Sequence, residues 1–137
     1  WQLRLLSYLS EKDHTILTKQ HPNSLVRMPK FFFESIGAQD VVGKFEDVYS
    51  QADVILTDYS GSTTFGSALK LDKPVIFIDF GFIKLRPIEN EVLKKSCYVI
   101  EGRFLSDNRA DINWDDLKLG LERCHDHNDR AYVTANL

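Results

Sequence analysis

Two unbroken apolar runs, residues 54–56 (Val, Ile, Leu) and residues 75–78 (Val, Ile, Phe, Ile), flank a mostly polar stretch of the chain. Runs of this length suit strands buried on both faces. The segment between them is too long for a hairpin and long enough for a helical crossover, so the two strands are expected to be parallel. The crossover helix is predicted over residues 63–71, with Ser62 placed to cap its first amides and Asp72, Lys73 and Pro74 closing it. The stretch from Ala52 to Asp79 thus reads as strand, polar loop, helix, strand.

The rest of the chain carries the same alternation. Leu5, Leu6 and Leu9 predict an amphipathic helix over residues 1–11, and residues 14–18 a β-branched strand. That strand ends in the turn-forming group Lys19, Gln20, His21, Pro22 and Asn23. Residues 25–36, with Phe31, Phe32 and Phe33, are open between a short helix starting near Pro29 and an irregular apolar plug. Val41 and Val42 predict a short strand, and Phe45, Val48, Tyr49 and Ala52 a helical stripe. Residues 80–87 are aromatic and irregular, residues 89–95 a short helix, residues 97–100 a strand and residues 101–111 a loop. Trp114, Leu117, Leu121 and Cys124 mark a last amphipathic helix begun by Asp111 or Asn113, and residues 128–137 add a terminal helical turn or two. Strands alternating with helices predict an α/β fold: a Rossmann-like open parallel sheet with helices on both faces and right-handed crossovers.

Composition narrows this picture. The 137 residues, 43% hydrophobic and 27% charged, suit a single domain with its own core. A formal charge of −3 argues against a general nucleic-acid binder, which needs an excess of Lys and Arg. Any phosphate site must be local. Two cysteines, Cys97 and Cys124, are too few for a disulfide framework and fit a reducing compartment. No apolar run approaches the roughly 18 residues of a membrane span. The first residue is Trp1, and the expectation is a piece of a longer protein.

The candidate chemistry gathers in the polar loop. Ligands of open α/β sheets bind beyond the carboxyl ends of the strands, where Asp58, Tyr59, Ser60, Gly61 and Ser62 fall. Ser60, Ser62, Thr63 and Thr64 supply four hydroxyls, and Gly61 removes a side chain that would obstruct approach to the backbone. The amides and dipole at the start of the helix add partial positive charge for a phosphate or diphosphate. The alternative is purely local: Ser62 caps the helix and Gly61 turns the chain. Asp58 accepts ligand hydroxyls or ties down its own loop. His21 is expected in the same crevice, where it stabilises phosphate charge as imidazolium or moves a proton; Lys19 adds charge or is simply solvated. His125, Asp126, His127 and Asp129 do not make a metal set, because residues two apart leave a helix on different faces and no thiolates accompany them. Lys94 and Lys95, like Arg86 and Arg103, read as solvated surface. The loop has neither the ending of a P-loop nor GxGxxG.

With His21, Pro22 and Asn23 and the stretch ADVILTDYSGSTTFGSALKLDKPVIFID in view, the sequence resembles the carboxyl-terminal donor domain of GT-B type transferases. It looks most like the CDP-glycerol glycerophosphotransferase family of teichoic acid and capsule polysaccharide biosynthesis. His21 and Pro22 match the family's HP pair, Asp58, Tyr59 and Ser60 its Asp-Tyr-Ser-Ser loop, and Lys73 and Pro74 its Lys-Pro strand. The resemblance implies one Rossmann-like half of a two-domain glycosyltransferase-like enzyme. It would use CDP-glycerol or a UDP-sugar as substrate and no obligatory cofactor or metal. His21 would be catalytic, and Lys19, Asp58, Ser60, Gly61, Ser62, Thr63 and Thr64 would bind the donor's phosphates. The acceptor, a surface polymer or lipid-linked molecule, would bind through a domain upstream of Trp1, so the piece alone is not expected to be active. A cytoplasmic location is implied, at the inner face of the membrane through the longer protein. Gly61 replaces the family's second Ser, with Ser62 its substitute, and Gly66 stands where the family commonly has an acid. UDP-sugar 2-epimerases share the fold but need carboxylates facing the sugar. A receiver-like or other non-catalytic phosphate-binding domain is the remaining alternative, with Asp58 as phosphoryl acceptor.

Overall fold

A computed structural model of the chain describes residues 1–21, 27–127 and 129. Pro22, Asn23 and the start of the 25–36 segment lie outside the described residues, as does the expected terminal turn at 128–137 apart from Asp129. The chain folds as two compact units, Trp1–Gln51 and Ala52–Leu137.

In the first unit, α1 (Gln2–Ser10) buries Leu5. It is followed by β1 (Ile16–Thr18), α2 (Lys30–Ser35), β2 (Ala38–Asp40), α3 (Phe45–Val48) and a 3₁₀ turn (Tyr49–Gln51). The turn after α1 carries Asp13 at φ +58, and the His14 amide donates to the Leu9 carbonyl. That delays the strand expected from residue 14 until Ile16. The triple phenylalanine is helical: Pro29 precedes α2 in an extended conformation, Phe33 is buried and Phe31 points outward. Ile16, Phe33 and Ala38 form a small core, covered by Leu6, Leu9, Met28, Phe32 and Ile36.

The strand expected at Val41 and Val42 lies three residues earlier. Gly37, at φ +72, turns the chain out of α2 directly into Ala38, and β2 pairs in parallel with β1 from Ile16 beside Ala38 to Thr18 beside Asp40. Val41 still donates its amide to Thr18, but Val42 is 90% exposed. The partner strand has only three residues, and its length sets where pairing stops.

The second unit contains β3 (Ile55–Thr57), α4 (Thr63–Lys70), β4 (Val75–Asp79), α5 (Pro87–Ser96), β5 (Tyr98–Phe104), β6 (Ala110–Ile112), α6 (Trp114–Arg123) and a closing 3₁₀ turn (Cys124–Asp126). Its sheet has the order β3-β4-β5-β6, with the first three strands parallel and β6 antiparallel at the edge. β4 is central, and Val75, Ile76, Phe77 and Ile78 are all buried, as expected of a strand covered on both faces. The registers put Ile55, Thr57, Val75 and Phe77 on one face and Leu56, Ile76, Tyr98 and Ile100 on the other. Phe65 of α4 packs on Phe77, with ring centroids 4.9 Å apart. Gly120 of α6 packs on Tyr98 and Ile100. Helices therefore cover opposite faces, and the fold is an α/β, Rossmann-like open sheet.

The loop expected over residues 101–111 is instead a hairpin. β5 continues to Phe104 and pairs with β6, Gly102 opposite Ile112 and Phe104 opposite Ala110. The turn between them is closed by Leu105 and Arg109, with Asn108 at φ +60. The residues are too polar for periodicity to reveal a strand, and a glycine inside it hides the pattern further. Gly102 is required there because the Phe80 ring occupies the place of its side chain.

Candidate functional site at the carboxyl ends of the parallel strands

The polar loop of the second unit begins where β3 ends. Asp58 is half-buried, Tyr59 exposed, and Ser60 half-buried on the way to Ser62, the residue preceding α4. Ser62 adopts the extended conformation of an N-cap; its Oγ accepts the Phe65 amide at 3.1 Å and donates to the Tyr59 carbonyl at 3.3 Å. One side chain thus satisfies a helix amide and fastens the loop's entry. Gly66 donates to the Ser62 carbonyl at 3.5 Å, so the intrahelical ladder starts there. The amides of Thr63 and Thr64 precede that ladder, at the positive end of the α4 dipole.

Gly61 is needed for packing. A Cβ on it would lie 2.7 Å from the Tyr59 hydroxyl and 2.7 Å from Ile83 Cδ1, so Tyr59 and the β4–α5 loop occupy that side of it. The β4–α5 loop begins with its own turn, in which the Gly81 amide donates to Asp79 Oδ1 at 2.8 Å. Beyond it the rings of Phe80, Phe82 and Phe104 lie within 6.0 Å of one another, centroid to centroid, and form an aromatic rim. Around Gly61, Ser60 and Thr64 are half-buried and Thr63 is exposed.

The first unit has its own strand ends. Lys19, Gln20 and His21 follow β1, with Lys19 and His21 exposed. Gln20 faces inward: its Nε2 donates to the Met28 carbonyl (3.0 Å) and to Asp40 Oδ2 (3.1 Å), and its Oε1 accepts the Met28 amide at 2.7 Å. Neither Gln20 nor Asp40 was marked by the sequence pattern. With a strand expected at Val41 and Val42, Asp40 fell before a strand instead of at its carboxyl end, which is where ligand-facing carboxylates sit.

Of the other charged candidates, Arg86, Arg103 and His127 are engaged locally. Arg86 pairs with Glu89 at 2.7 Å across the first turn of α5 and holds that carboxyl below its ordinary pKa; Arg103 pairs with Asp111 at 2.9 Å. His127 Nδ1 lies 2.9 Å from the Lys94 carbonyl, and its ring stands edge-on to Tyr98. Among the described residues no group of three His, Cys, Asp or Glu side chains is placed to hold a metal ion. Cys97 is buried, which pushes its thiol up to about 12, and burial raises Cys124 as well, so neither is a ready nucleophile. Among the described residues no helix is long and apolar enough to cross a membrane. Compared with protein-family models, curated proteins and solved structures, the chain matches none.

Proposed function

We propose that this chain is the nucleotide-donor-binding half of a transferase that moves glycerophosphate or a sugar from a CDP- or UDP-linked donor to a cell-surface polymer. The observation that carries the reading is the loop from Asp58 to Thr64, which leaves the carboxyl end of a parallel strand and runs into the amide end of α4. Such a place holds phosphate without a cluster of lysines, in keeping with the net charge of −3. In this reading the Thr63 and Thr64 amides and the hydroxyls of Ser60, Thr63 and Thr64 take up the charge that develops on the departing nucleotide phosphate. That is electrostatic stabilisation of a leaving group. Asp58 accepts a donor hydroxyl. His21 enters only through the resemblance to the glycerophosphotransferases, as a contact to the donor's phosphates, and the reading requires no metal.

Calorimetric titration of CDP, CDP-glycerol, UDP and UDP-sugars tests it, with His21→Ala and Ser60→Ala measured beside the parent. A cytidine or uridine diphosphate that binds the parent and binds both variants more weakly is the expected result. Absence of binding by all four ligands sinks the reading.

A further inference from the structure

Phe80, Phe82 and Phe104 gather at the carboxyl edge of β4 and β5. Phe80 follows the last residue of β4, and Phe104 is the last residue of β5, which runs parallel to β4. Phe80 is the anchored ring, lying where a Gly102 side chain would stand. Phe82 and Phe104 flank it at 6.0 and 5.5 Å between centroids, and they are 62% and 50% exposed. A single exposed apolar residue needs no explanation, but a cluster of rings left in water marks a binding surface. Its surroundings indicate the ligand. Ile83, next to Phe82, carries the surface to the hydroxyl loop, since its Cδ1 packs where a Gly61 side chain would stand. Lys84 follows it, exposed. Apolar ring faces therefore adjoin a polar loop at the carboxyl edge of the parallel strands, with a cation beside them. That combination matches a ligand with an aromatic ring at one end and phosphate at the other, as in a nucleotide. It does not match a purely apolar partner such as the same rim of a second copy. Phe82 and Phe104 stand at 61° to each other, 5.9 Å apart. A planar ring lying flat on one of them meets the other near its edge, and both are arrangements that aromatic pairs prefer.

We propose that the aromatic rim is the base subsite of the donor: the nucleobase stacks on Phe82 and meets Phe104 edge to face, with Phe80 backing both rings. The ligand class rests on the nucleotide reading above. Phe82 takes the flat face because it is the more exposed ring and the neighbour of Ile83, which leads to the loop at α4. Every base has a π-face, so this subsite adds affinity for a base without choosing cytosine over uracil.

The test titrates CDP, UDP and inorganic pyrophosphate against the whole chain and its Phe82→Ala, Phe82→Trp and Phe104→Leu variants. Stacking of a base on an aromatic side chain corresponds to about 5- to 100-fold in affinity. Phe82→Ala should weaken CDP and UDP alike by that factor and leave pyrophosphate unchanged, and Phe104→Leu should weaken the nucleotides less. Phe82→Trp should bind CDP as the parent does, and the emission of its added indole should be quenched by CDP but not by pyrophosphate. Equal losses for nucleotides and pyrophosphate in Phe82→Ala would assign the ring to holding its loop and overturn the proposal. So would nucleotide affinity unchanged in Phe82→Ala, or CDP bound to Phe82→Trp without quenching; in either case the nucleotide reading survives. Self-association of the parent in sedimentation, abolished in Phe82→Ala, would give the rim to a second copy of the chain and overturn the proposal as well. A parent that binds no nucleotide ends both.

Discussion

Ser62 Oγ accepts the Phe65 amide at 3.1 Å. Through this bond the residue that opens α4 also fixes the loop before it, since the same hydroxyl donates to the Tyr59 carbonyl. Replacing an N-cap serine by alanine costs about 1 kcal/mol. Ser62→Ala is expected to lower the urea midpoint accordingly, while Ser62→Asp, which keeps a capping oxygen and adds charge at the favourable helix end, should restore it. A variant with an unchanged midpoint would show that the cap contributes nothing.

Gly102 lies against Phe80 so closely that a Cβ would come 2.4 Å from Cδ1 of the ring. A methyl group there must displace the ring or the β5–β6 hairpin. Gly102→Ala should cost about 1–3 kcal/mol, the usual range for overpacking. Adding Phe80→Ala opens the space, so the two substitutions should be non-additive in equilibrium unfolding, with a coupling above about 0.5 kcal/mol. Simple additivity would contradict the contact.

Alkaline pH should weaken the fold through Cys97 and Tyr98. Burial pushes the Cys97 thiol up to about 12; burial, then the hydrogen bond to Asp116, pushes the Tyr98 phenol up to about 12. Both groups keep their protons longer in the folded than in the unfolded chain, where they titrate near about 8.5 and 10. Their stabilising contribution is complete below those unfolded values and is lost as pH rises toward 12. Urea unfolding measured from pH 7 to 11 should show stability falling from about pH 8.5 onward, more steeply past 10. Cys97→Ala should flatten the earlier part of the decline, and Tyr98→Phe the later part.

The same burial predicts slow thiol chemistry. Cys97 and Cys124 are both buried, so a disulfide reagent should modify them in the native protein at the rate of transient opening and in urea at once. Rapid modification of two thiols under native conditions would contradict their placement.

Gln20→Ala should release Met28. The Met28 amide and carbonyl both bond the Gln20 side chain, so hydrogen exchange at Met28 is expected to accelerate about fivefold or more, as for loss of a net bond of about 1 kcal/mol or above. Gln20→Glu, which keeps the acceptor and loses the donor, should retain part of the protection.

Much of the fold was legible because its signals are local. The fully apolar run of β4 and the Phe65, Ala68 and Leu69 face of α4 are periodic in sequence and buried in the structure. Ser62 capped the helix the pattern assigned to it. The β5–β6 hairpin was hidden because Arg103 and Asp111 are charged residues on strands whose pairing depends on a partner strand. In the candidate site, the hydroxyl loop showed itself by composition, whereas Gln20 and Asp40 did not: a glutamine and an aspartate carry no sign of meeting until β1 and β2 lie side by side.

The sequence by itself determined the elements that depend on neighbours a few residues away: the amphipathic helices, the central strand, the cap at Ser62 and the polar loop beyond β3. Tertiary structure decided what depends on distant partners. It ended β2 at Asp40, because a strand lasts only as long as the strand it pairs with. It filled the space beside Gly61 with Tyr59 and Ile83, and it left one carboxylate oxygen of Asp40 buried at the edge of the first sheet. Each of these outcomes is a matter of distance between residues far apart in the chain, and sequence order does not contain that distance.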